Sequence, residues 1–222
     1  MFDRIAHRYD LLNRLLSFGR DVAWRKAMVR QLPPGQTLDV LDLATGTADV
    51  LLALEATGKV QRGVGVDLSA GMLVVGMRKV AARGLTERLL LVRSDAVQLG
   101  VADEAFDAVT IAFGIRNVTD VAAGLREIHR CLKPGGRALM LEFSLPANRA
   151  FRALYLLYFR HVLPRLGGLV SGDSHAYRYL NETVETFPYG EAFLALMDAA
   201  GLRNARGITL TFGIATLYIA ER

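Results

Sequence analysis

Residues 39–49 read Asp39-Val-Leu-Asp-Leu-Ala-Thr-Gly-Thr-Ala-Asp49. The first half of this stretch is mostly apolar, which predicts a buried strand that ends at Ala44. A turn around Gly46 follows, and the residues from Asp49 to Ala56 have helical character. A strand that passes through a glycine-containing turn into a helix is typical of a parallel α/β sheet.

Strands and helices continue to alternate along the chain. Strands are predicted over residues 63–68, 89–92, 106–113 and 137–143, helices over 69–83 (with Ser69 as N-cap) and 121–132, and a turn over 133–136. A helix over 191–200 then precedes two strands, 205–210 and 214–220, whose three-residue connection requires an antiparallel hairpin. The predicted fold is α/β, a Rossmann-like class I methyltransferase architecture: a mostly parallel seven-stranded sheet with helices on both faces and a C-terminal antiparallel hairpin.

The composition fits one domain in a reducing compartment. The chain has 222 residues and one cysteine, Cys131, which cannot form an intramolecular disulfide or a cysteine-based zinc site. We predict one domain over residues 1–222 and a cytoplasmic location. Its parts are an N-terminal helical segment (1–34), a cofactor-binding core (35–145), a substrate- and membrane-facing insertion (146–188) and a C-terminal helix and hairpin (189–222).

The apolar composition, 52% hydrophobic with a mean hydropathy of +0.26, makes a membrane segment the first alternative to test. The longest uncharged run, from Gly207 to Ala220, is shorter than the about 20 residues that a spanning helix needs. Arg4, Arg8 and Asp10 interrupt any signal-peptide core after the first residue. The sequence therefore predicts neither a span nor secretion, and it leaves contact with a membrane surface open.

The net charge of +5 is concentrated in two segments. Residues 1–30 carry seven basic and three acidic side chains, residues 149–178 carry five arginines against Asp173, and the remainder of the chain sums to −3. Localised positive charge beside apolar residues indicates an anionic partner, either lipid headgroups or nucleic acid. The alternative is that both segments are solvated helix faces.

The turn after the first strand favours S-adenosylmethionine over a dinucleotide. It has one glycine and two flanking acids, Asp42 and Asp49, where a dinucleotide site has a glycine-rich pattern that cradles a pyrophosphate. Acidic groups suit a ligand whose sulfonium and ammonium groups are cationic. Asp67, at the end of the second strand, is placed to accept the ribose hydroxyls, and Asp95 is placed to accept from the adenine amino group. Each aspartate has a second interpretation as a helix cap.

Motifs along the whole chain resemble the ubiquinone/menaquinone biosynthesis C-methyltransferase family. The most selective is Phe113-Gly-Ile-Arg-Asn-Val118. The others include Met1-Phe2-Asp3-Arg4-Ile5-Ala6, Arg8-Tyr9-Asp10, Asp42-Leu-Ala-Thr-Gly-Thr47, Gly65-Val-Asp-Leu-Ser69, Leu132-Lys-Pro-Gly-Gly-Arg137, Leu141-Glu-Phe-Ser144, Ala176-Tyr-Arg-Tyr-Leu180 and Thr211-Phe-Gly-Ile214. The chain departs from the family pattern at Ala48, where a second glycine is usual, and at Thr183, where serine is common.

The resemblance implies methyl transfer from S-adenosylmethionine to a ring carbon of a polyprenylated hydroquinone. We favour demethylmenaquinol as the acceptor, in menaquinone biosynthesis; the benzoquinol step of ubiquinone biosynthesis, or both steps, is the alternative. The family's cofactor positions correspond to Thr47, Asp67, Asp95, Ala96 and Ala112. The complete expected cofactor site is Asp42, Thr45, Gly46, Thr47, Asp67, Leu68, Asp95, Ala96 and Ala112.

The chemistry needs positioning and an acceptor phenolate, and it needs no metal. A fixed cation lowers the pKa of a neighbouring phenol, and Arg116 is expected to supply that charge because arginine stays protonated. Asn117 is expected to orient a ring oxygen, and Tyr9 and Tyr177 are candidates for relaying the proton, with His7 as a further one. The alternative for Arg116 is an ion pair that serves structure only.

Residues 149–163 are predicted to form a basic amphipathic helix. Three arginines, at 149, 152 and 160, fall on one side, and Phe151, Leu154, Tyr155, Tyr158 and Val162 lie opposite. We interpret this helix as a contact with the anionic inner face of the cell membrane, where the prenyl tail of the acceptor lies. The alternative is that its apolar face packs on the sheet.

Three other classes of function fit the sequence less well: a dehydrogenase, a nucleic-acid methyltransferase of either of two kinds, and a non-catalytic binding protein. A dehydrogenase lacks its glycine-rich fingerprint, and an amino-methylating nucleic-acid enzyme lacks an Asn/Asp-Pro-Pro-aromatic motif after the fourth strand. A cytosine C5 enzyme needs a reactive cysteine, whereas Cys131 lies late in a predicted helix. A non-catalytic binding protein is disfavoured because the candidate residues are all intact: Asp42, Asp67, Asp95 and Arg116. We therefore predict no nucleic-acid partner and leave a homo-oligomer open.

Overall fold

The computed structural model describes residues 10, 13–14, 17–35, 37–162, 181 and 183–222, and the seven-stranded sheet lies within them. Its strands are β1 (Leu38–Leu43), β2 (Val60–Asp67), β3 (Leu89–Arg93), β4 (Phe106–Ala112), β5 (Leu132–Phe143), β6 (Arg203–Leu210) and β7 (Ala215–Glu221). The helices with assigned bounds are α1 (Arg20–Val29), α2 (Asp49–Glu55), α3 (Ala70–Ala82), α4 (Val121–Cys131), α5 (Arg149–Leu157) and α6 (Glu191–Ala199).

The strand order is β3-β2-β1-β4-β5-β7-β6. The first five strands in this order are parallel to one another, and β7 pairs antiparallel with both β5 and β6. The predicted parallel sheet with a C-terminal antiparallel hairpin is therefore confirmed. The chain order reverses at β1, because β2 and β3 lie on one side of it and β4 on the other. Ligands of open α/β sheets bind at the carboxyl ends of the strands beside such a reversal.

Both faces of the sheet are covered, which explains why β1 and β4 have apolar side chains facing both ways. On one face Leu41 and Ile111 pack with residues of α4 and α6. On the other face Val40 packs with α2 and with Trp24 and Met28 of α1. Local signals set the helix starts: Ser69 accepts a hydrogen bond from the Met72 amide before α3, and Asp120 does the same for Ala123 before α4.

The sequence-based boundaries are wrong in two places. The predicted turn at residues 133–136 is a bulge inside β5, because Phe106 pairs with Leu132 while Ala108 pairs with Arg137. The helix predicted over residues 149–163 is α-helical only to Leu157 and continues as a π-helical turn over Tyr158–Val162. Within the described residues, none of the helices has the length and apolar character to cross a membrane.

Candidate active site

A cavity of about 300 Å³ opens at the carboxyl ends of β1, β2 and β4. Seven of the predicted site residues line it: Gly46, Asp67, Leu68, Asp95, Ala96, Ala112 and Asn117. The lining residues that sequence reasoning did not assign to a site are Ala44, Val66, Ser69, Met72, Ser94, Phe113, Gly114, Val118 and Thr119. The charged side chains among these lining residues are the carboxylates of Asp67 and Asp95, and none is a cation. The cavity therefore favours a ligand with positive charge and no phosphate.

The turn after β1 brings backbone close to the cavity through left-handed residues. Ala44, Gly46 and Ala48 all have positive φ angles, of 47°, 55° and 65°. The turn is fixed to the neighbouring strand, because the Thr45 amide donates to the Val66 carbonyl at 3.0 Å. The Gly46 amide donates to Asp67 Oδ2 at 2.8 Å. Asp67 thus holds the turn and faces the cavity at the same time.

Asp67 and Asp95 each organise a turn beside the cavity, and neither caps one of the described helices, since the N-cap of α3 is Ser69. Asp67 Oδ1 accepts from the Ser69 amide at 2.8 Å, and Asp95 Oδ1 accepts from the Val97 amide at 3.1 Å. Each carboxylate therefore organises its own turn. Each also lines the cavity, where a carboxylate is a suitable acceptor for a ligand hydroxyl or amino group.

Asp42 and Thr45 lie beneath the turn and outside the cavity lining. Asp42 is buried, and its two oxygens accept from the Thr45 hydroxyl at 2.7 Å and the Thr110 hydroxyl at 2.6 Å. Burial raises the pKa of the Asp42 carboxyl to about 7, and the nearby Asp67 charge adds to this effect. These contacts give Asp42 a positioning role toward the turn.

Thr47 and Asp49 belong to a polar network behind the cavity. The Thr47 hydroxyl donates to Asp10 Oδ1 at 2.6 Å and accepts from Lys79 Nζ at 3.0 Å. Lys79 also pairs with Asp10 at 2.5 Å and with Asp49 at 2.7 Å, and Arg25 lies 3.3 Å from Asp49. Protein cations therefore neutralise Asp49, and the sequence-based interpretation of this residue as an acid facing the ligand is wrong.

Arg116 and Asn117 follow β4 on a short 3-10 turn over Ile115–Asn117. Arg116 is buried; its Nη1 donates to Glu142 Oε1 at 2.7 Å and to the Phe113 carbonyl at 2.6 Å. Its guanidinium lies 5.4 Å from the ring centre of Phe143. Asn117 lines the cavity, and among the described residues its buried Oδ1 finds no hydrogen-bond donor.

A family model described as the ubiE/COQ5 methyltransferase family matches residues 1–222. The chain belongs to the ubiE/COQ5 methyltransferase family. The family resemblance stated from the motifs is thus confirmed, together with the methyltransferase class and S-adenosylmethionine as cofactor.

Relatives in this family match along the full chain. A protein named demethylmenaquinone methyltransferase from Thermus thermophilus is 50% identical over 222 residues, which is 100% of both chains. A protein named ubiquinone/menaquinone biosynthesis C-methyltransferase UbiE from Syntrophotalea carbinolica is 51% identical over 98% of this chain and 91% of its own. A demethylmenaquinone methyltransferase from Bacteroides fragilis is 40% identical over 100% of this chain and 91% of its own.

Solved structures share the fold. A putative S-adenosyl-L-methionine-dependent methyltransferase from Methanococcus maripaludis has a TM-score of 0.72 at 18% identity, covering 100% of this chain and 94% of that chain. Phosphoethanolamine N-methyltransferase 2 of Haemonchus contortus, in complex with S-adenosyl-L-methionine, has a TM-score of 0.67 at 14% identity, covering 89% of this chain and 52% of that chain. The predicted fold class is confirmed.

The backbone geometry shows why glycine is usual at position 48 in the ubiE/COQ5 family and what alanine costs there. Ala48 occupies a left-handed conformation, with φ at 65°, where the family usually has glycine. Glycine adopts such a conformation without steric cost, whereas an L-residue there is strained by about 1–2 kcal/mol. The surrounding hydrogen bonds keep the turn in place, since the Ala48 amide donates to the Thr45 carbonyl at 2.9 Å.

Tyr9, Tyr177 and His7 lie outside the described residues. Sequence reasoning missed the roles of Glu142 and Lys79. An acid inside the apolar strand β5 was a readable signal for a buried cationic partner, because a buried charge is otherwise too costly. No comparable signal marked Lys79, whose partners are distant in sequence.

Proposed function

We propose that this protein transfers the methyl group of S-adenosylmethionine to a ring carbon of a polyprenylated hydroquinone, with demethylmenaquinol as the favoured acceptor. The observation that carries the proposal is the cavity lining, which combines two carboxylates, no cation and the Asn117 amide. The relatives named demethylmenaquinone methyltransferase support the naphthoquinol. Those named for both quinones keep the benzoquinol as the alternative.

The lining fits the cofactor by its chemistry. Asp67 would accept the ribose hydroxyls, and Asp95 would accept from the adenine amino group, with Leu68, Ala96 and Ala112 as apolar walls. The backbone at Gly46 would approach the cationic end of the cofactor. Asp42 and Thr45 support this turn from below, and Thr47 supports it from behind through Asp10 and Lys79.

The bound cofactor supplies an activated sulfonium methyl group, so the protein's task is to place the acceptor and promote its ionisation. Asn117 Oδ1 is proposed to accept a hydrogen bond from a ring hydroxyl, which would orient the ring in the cavity. Arg116 is proposed to favour the phenolate by its fixed charge. Glu142 balances part of that charge. Because Arg116 also donates to the Phe113 carbonyl, its side chain helps to hold the 3-10 turn that presents Asn117. Tyr9 and Tyr177 are retained as proposed proton relays.

Labelled S-adenosylmethionine, assayed with both a demethylnaphthoquinol and a demethylbenzoquinol, tests the proposal. We expect methyl incorporation into the naphthoquinol; incorporation into neither quinol would refute the function. In calorimetry, Asp67→Ala should lose cofactor affinity. By contrast, Asn117→Ala and Arg116→Ala should bind cofactor like the wild type and lose turnover about 100-fold or more.

We also propose that the protein associates peripherally with the inner face of the cell membrane, because the acceptor's prenyl tail requires a lipid phase. The protein should sediment together with anionic vesicles at low salt. Protein that stays in the supernatant would contradict the association. The oligomeric state stays a prediction, and light scattering on the purified chain would determine it.

A further inference from the structure

Apolar side chains of two separate elements, some exposed and some half-buried, lie side by side on the surface. Phe212, on the turn between β6 and β7, is 82% exposed, and Leu154 and Leu157 of α5 are 63% and 58% exposed. The Phe212 ring lies 5.7 Å from that of Phe151 on α5, so the two elements are joined. We call the set Phe18, Phe151, Leu154, Leu157, Tyr158 and Phe212 the aromatic ridge.

The N-terminal segment extends the aromatic ridge. Phe18, which is 78% exposed, lies 6.0 Å from Tyr158 between ring centres. A neighbouring side of α5 packs on the protein, since Tyr155 is buried and Phe159 of the following turn is buried with it. One side of this helix thus packs on the protein, as in one of the two alternatives, and another side faces outward with leucines. Its contact with a membrane stays a proposal.

The exposed Phe212 lies in a strained turn that the surrounding structure holds in place. Thr211, Phe212 and Gly213 have consecutive positive φ angles of 44°, 56° and 94°. Bulky residues are rarely found in that region, and such strain concentrates at functional positions. The turn is held by the Trp24 indole N–H, which donates to the Thr211 hydroxyl at 2.8 Å. The Ser144 hydroxyl donates to the Gly213 carbonyl at 2.8 Å from the other side.

Charge around the aromatic ridge favours an anionic lipid surface as the occupant. The described residues 143–162 include three arginines and no acidic residue, and Arg149 is exposed at the start of α5. A second copy of the chain would bring these positive charges against one another. Anionic headgroups would instead complement them, while aromatic and leucine side chains enter the interfacial layer.

The arginines are less available to lipid headgroups than the sequence predicts, because two of them are engaged within the protein. Arg152 donates to the Pro146 carbonyl at 2.8 Å and to the Tyr189 hydroxyl at 3.1 Å. Arg160 is paired with Glu185. We propose that the aromatic ridge inserts into a bilayer, and that this apolar insertion provides most of the membrane affinity. The inference rests on the proposed function, because the prenyl tail is what requires a lipid phase.

Vesicle flotation of the full chain tests the insertion. The double variant Phe212→Asn/Leu154→Gln removes two apolar side chains, and asparagine tolerates the positive φ at position 212. The matched control is Leu90→Gln, which changes a 59% exposed leucine on the edge strand β3. We expect the double variant to lose at least about tenfold in partition onto neutral phosphatidylcholine vesicles, and the control to bind like the wild type. High salt should leave wild-type binding to the neutral vesicles unchanged.

Three results would overturn the inference. Equal partition of the double variant and wild type would exclude the aromatic ridge, and loss of all wild-type binding in high salt would make the contact electrostatic. A dimer that becomes a monomer in the double variant, with vesicle binding unchanged, would identify an interface between copies.

A tail-less hydroquinone in buffer separates this inference from the proposed function. We expect the double variant to methylate the tail-less acceptor at the wild-type rate and a vesicle-embedded prenylated acceptor more slowly. A wild-type rate on the embedded acceptor would overturn the inference alone. Failure of the wild type on every quinol would instead overturn the proposed function, whatever the flotation shows.

Discussion

At the scale of single residues, Asp42 is a carboxyl group enclosed beneath the turn that borders the cavity. Burial raises its pKa from 3.8 to about 7, so between these pH values the folded state binds more protons than the unfolded state. Its contribution to the free energy of unfolding is therefore fully present below the unfolded pKa. That contribution is lost as the pH rises through about 7, where burying the ionised carboxylate opposes folding.

Asp42→Asn should remove this pH dependence, because the amide keeps the shape and does not ionise. Urea unfolding from pH 4 to pH 8 should show the variant gaining stability relative to the wild type by a few kcal/mol, at about 1.4 kcal/mol for each pKa unit. Asp120→Asn is the control, since it replaces an exposed carboxylate by another good N-cap. A difference between Asp42→Asn and wild type that stays constant over this range would contradict the raised pKa.

Lys79 is the residue through which the N-terminal segment and the cofactor turn share contacts. Its ammonium lies between Asp10 and Asp49 and donates to the Thr47 hydroxyl. Lys79→Met should remove the lysine partner of Asp10 and leave Asp49 with Arg25 alone. It should lower the free energy of unfolding by about 1–3 kcal/mol and weaken cofactor binding about tenfold. Calorimetry with S-adenosylmethionine and urea unfolding measure the two effects.

Lys26→Met serves as the control for Lys79→Met, because Lys26 is an exposed lysine on α1. It should leave affinity and stability close to those of the wild type. If Lys79→Met were destabilised but bound the cofactor with wild-type affinity, the network would support the fold without positioning the turn.

At the scale of elements, the turns after β1 and β4 meet at Gly114. A Cβ at this position would lie 2.5 Å from the Ala44 Cβ, which is attached directly to backbone and cannot rotate away. Gly114→Ala should therefore push the two turns apart, destabilise the protein by about 1–3 kcal/mol and reduce cofactor affinity. Thermal unfolding and calorimetry would measure this. Gly100→Ala, where an added Cβ meets nothing within 4 Å, should be nearly neutral; an equal effect of both changes would refute the steric argument.

The elements show where local sequence is sufficient and where it is not. The strands β1 and β4 and the C-terminal hairpin were predictable because buried apolar runs and a three-residue connection constrain the chain locally. The start of β5 was not, since the bulge at 133–136 depends on pairing with β4. The π-helical turn after Leu157 was missed because a regular 100° periodicity assumes one helix type throughout.

In the candidate site too, features that local sequence sets were predictable, and features that depend on packing between distant elements were not. Asp67, which ends β2, and Asp95, which follows β3, were predictable because the carboxyl ends of parallel strands form the ligand edge of the sheet. The pairing of Asp49 with Lys79 and Arg25 was not, since it depends on how α1, α2 and α3 pack. Arg116 was expected at the acceptor, and the structure pairs it with Glu142 of β5. Its role at the acceptor stays a prediction.

At the scale of the whole molecule, a residue of the first helix with assigned bounds holds the turn of the C-terminal hairpin. Trp24 Nε1 donates to the Thr211 hydroxyl at 2.8 Å across 187 positions of sequence, and its ring packs near those of Phe113 and Phe143. The indole thus joins the N-terminal segment, the turn that follows β4 and the strained hairpin turn. Loss of this hydrogen bond should weaken the packing of both α1 and the hairpin turn.

A double-mutant cycle of Trp24→Phe and Thr211→Val isolates that hydrogen bond. Trp24→Phe should cost more than Thr211→Val, because it also removes apolar ring area from the core. The two changes should be non-additive by about 1 kcal/mol in urea unfolding, since either one alone already breaks the bond. Thr211→Ser keeps the hydroxyl and should preserve the coupling with Trp24. Additive effects in the first cycle would show that packing alone holds the hairpin turn, and the strain at Phe212 would then have no partner in α1.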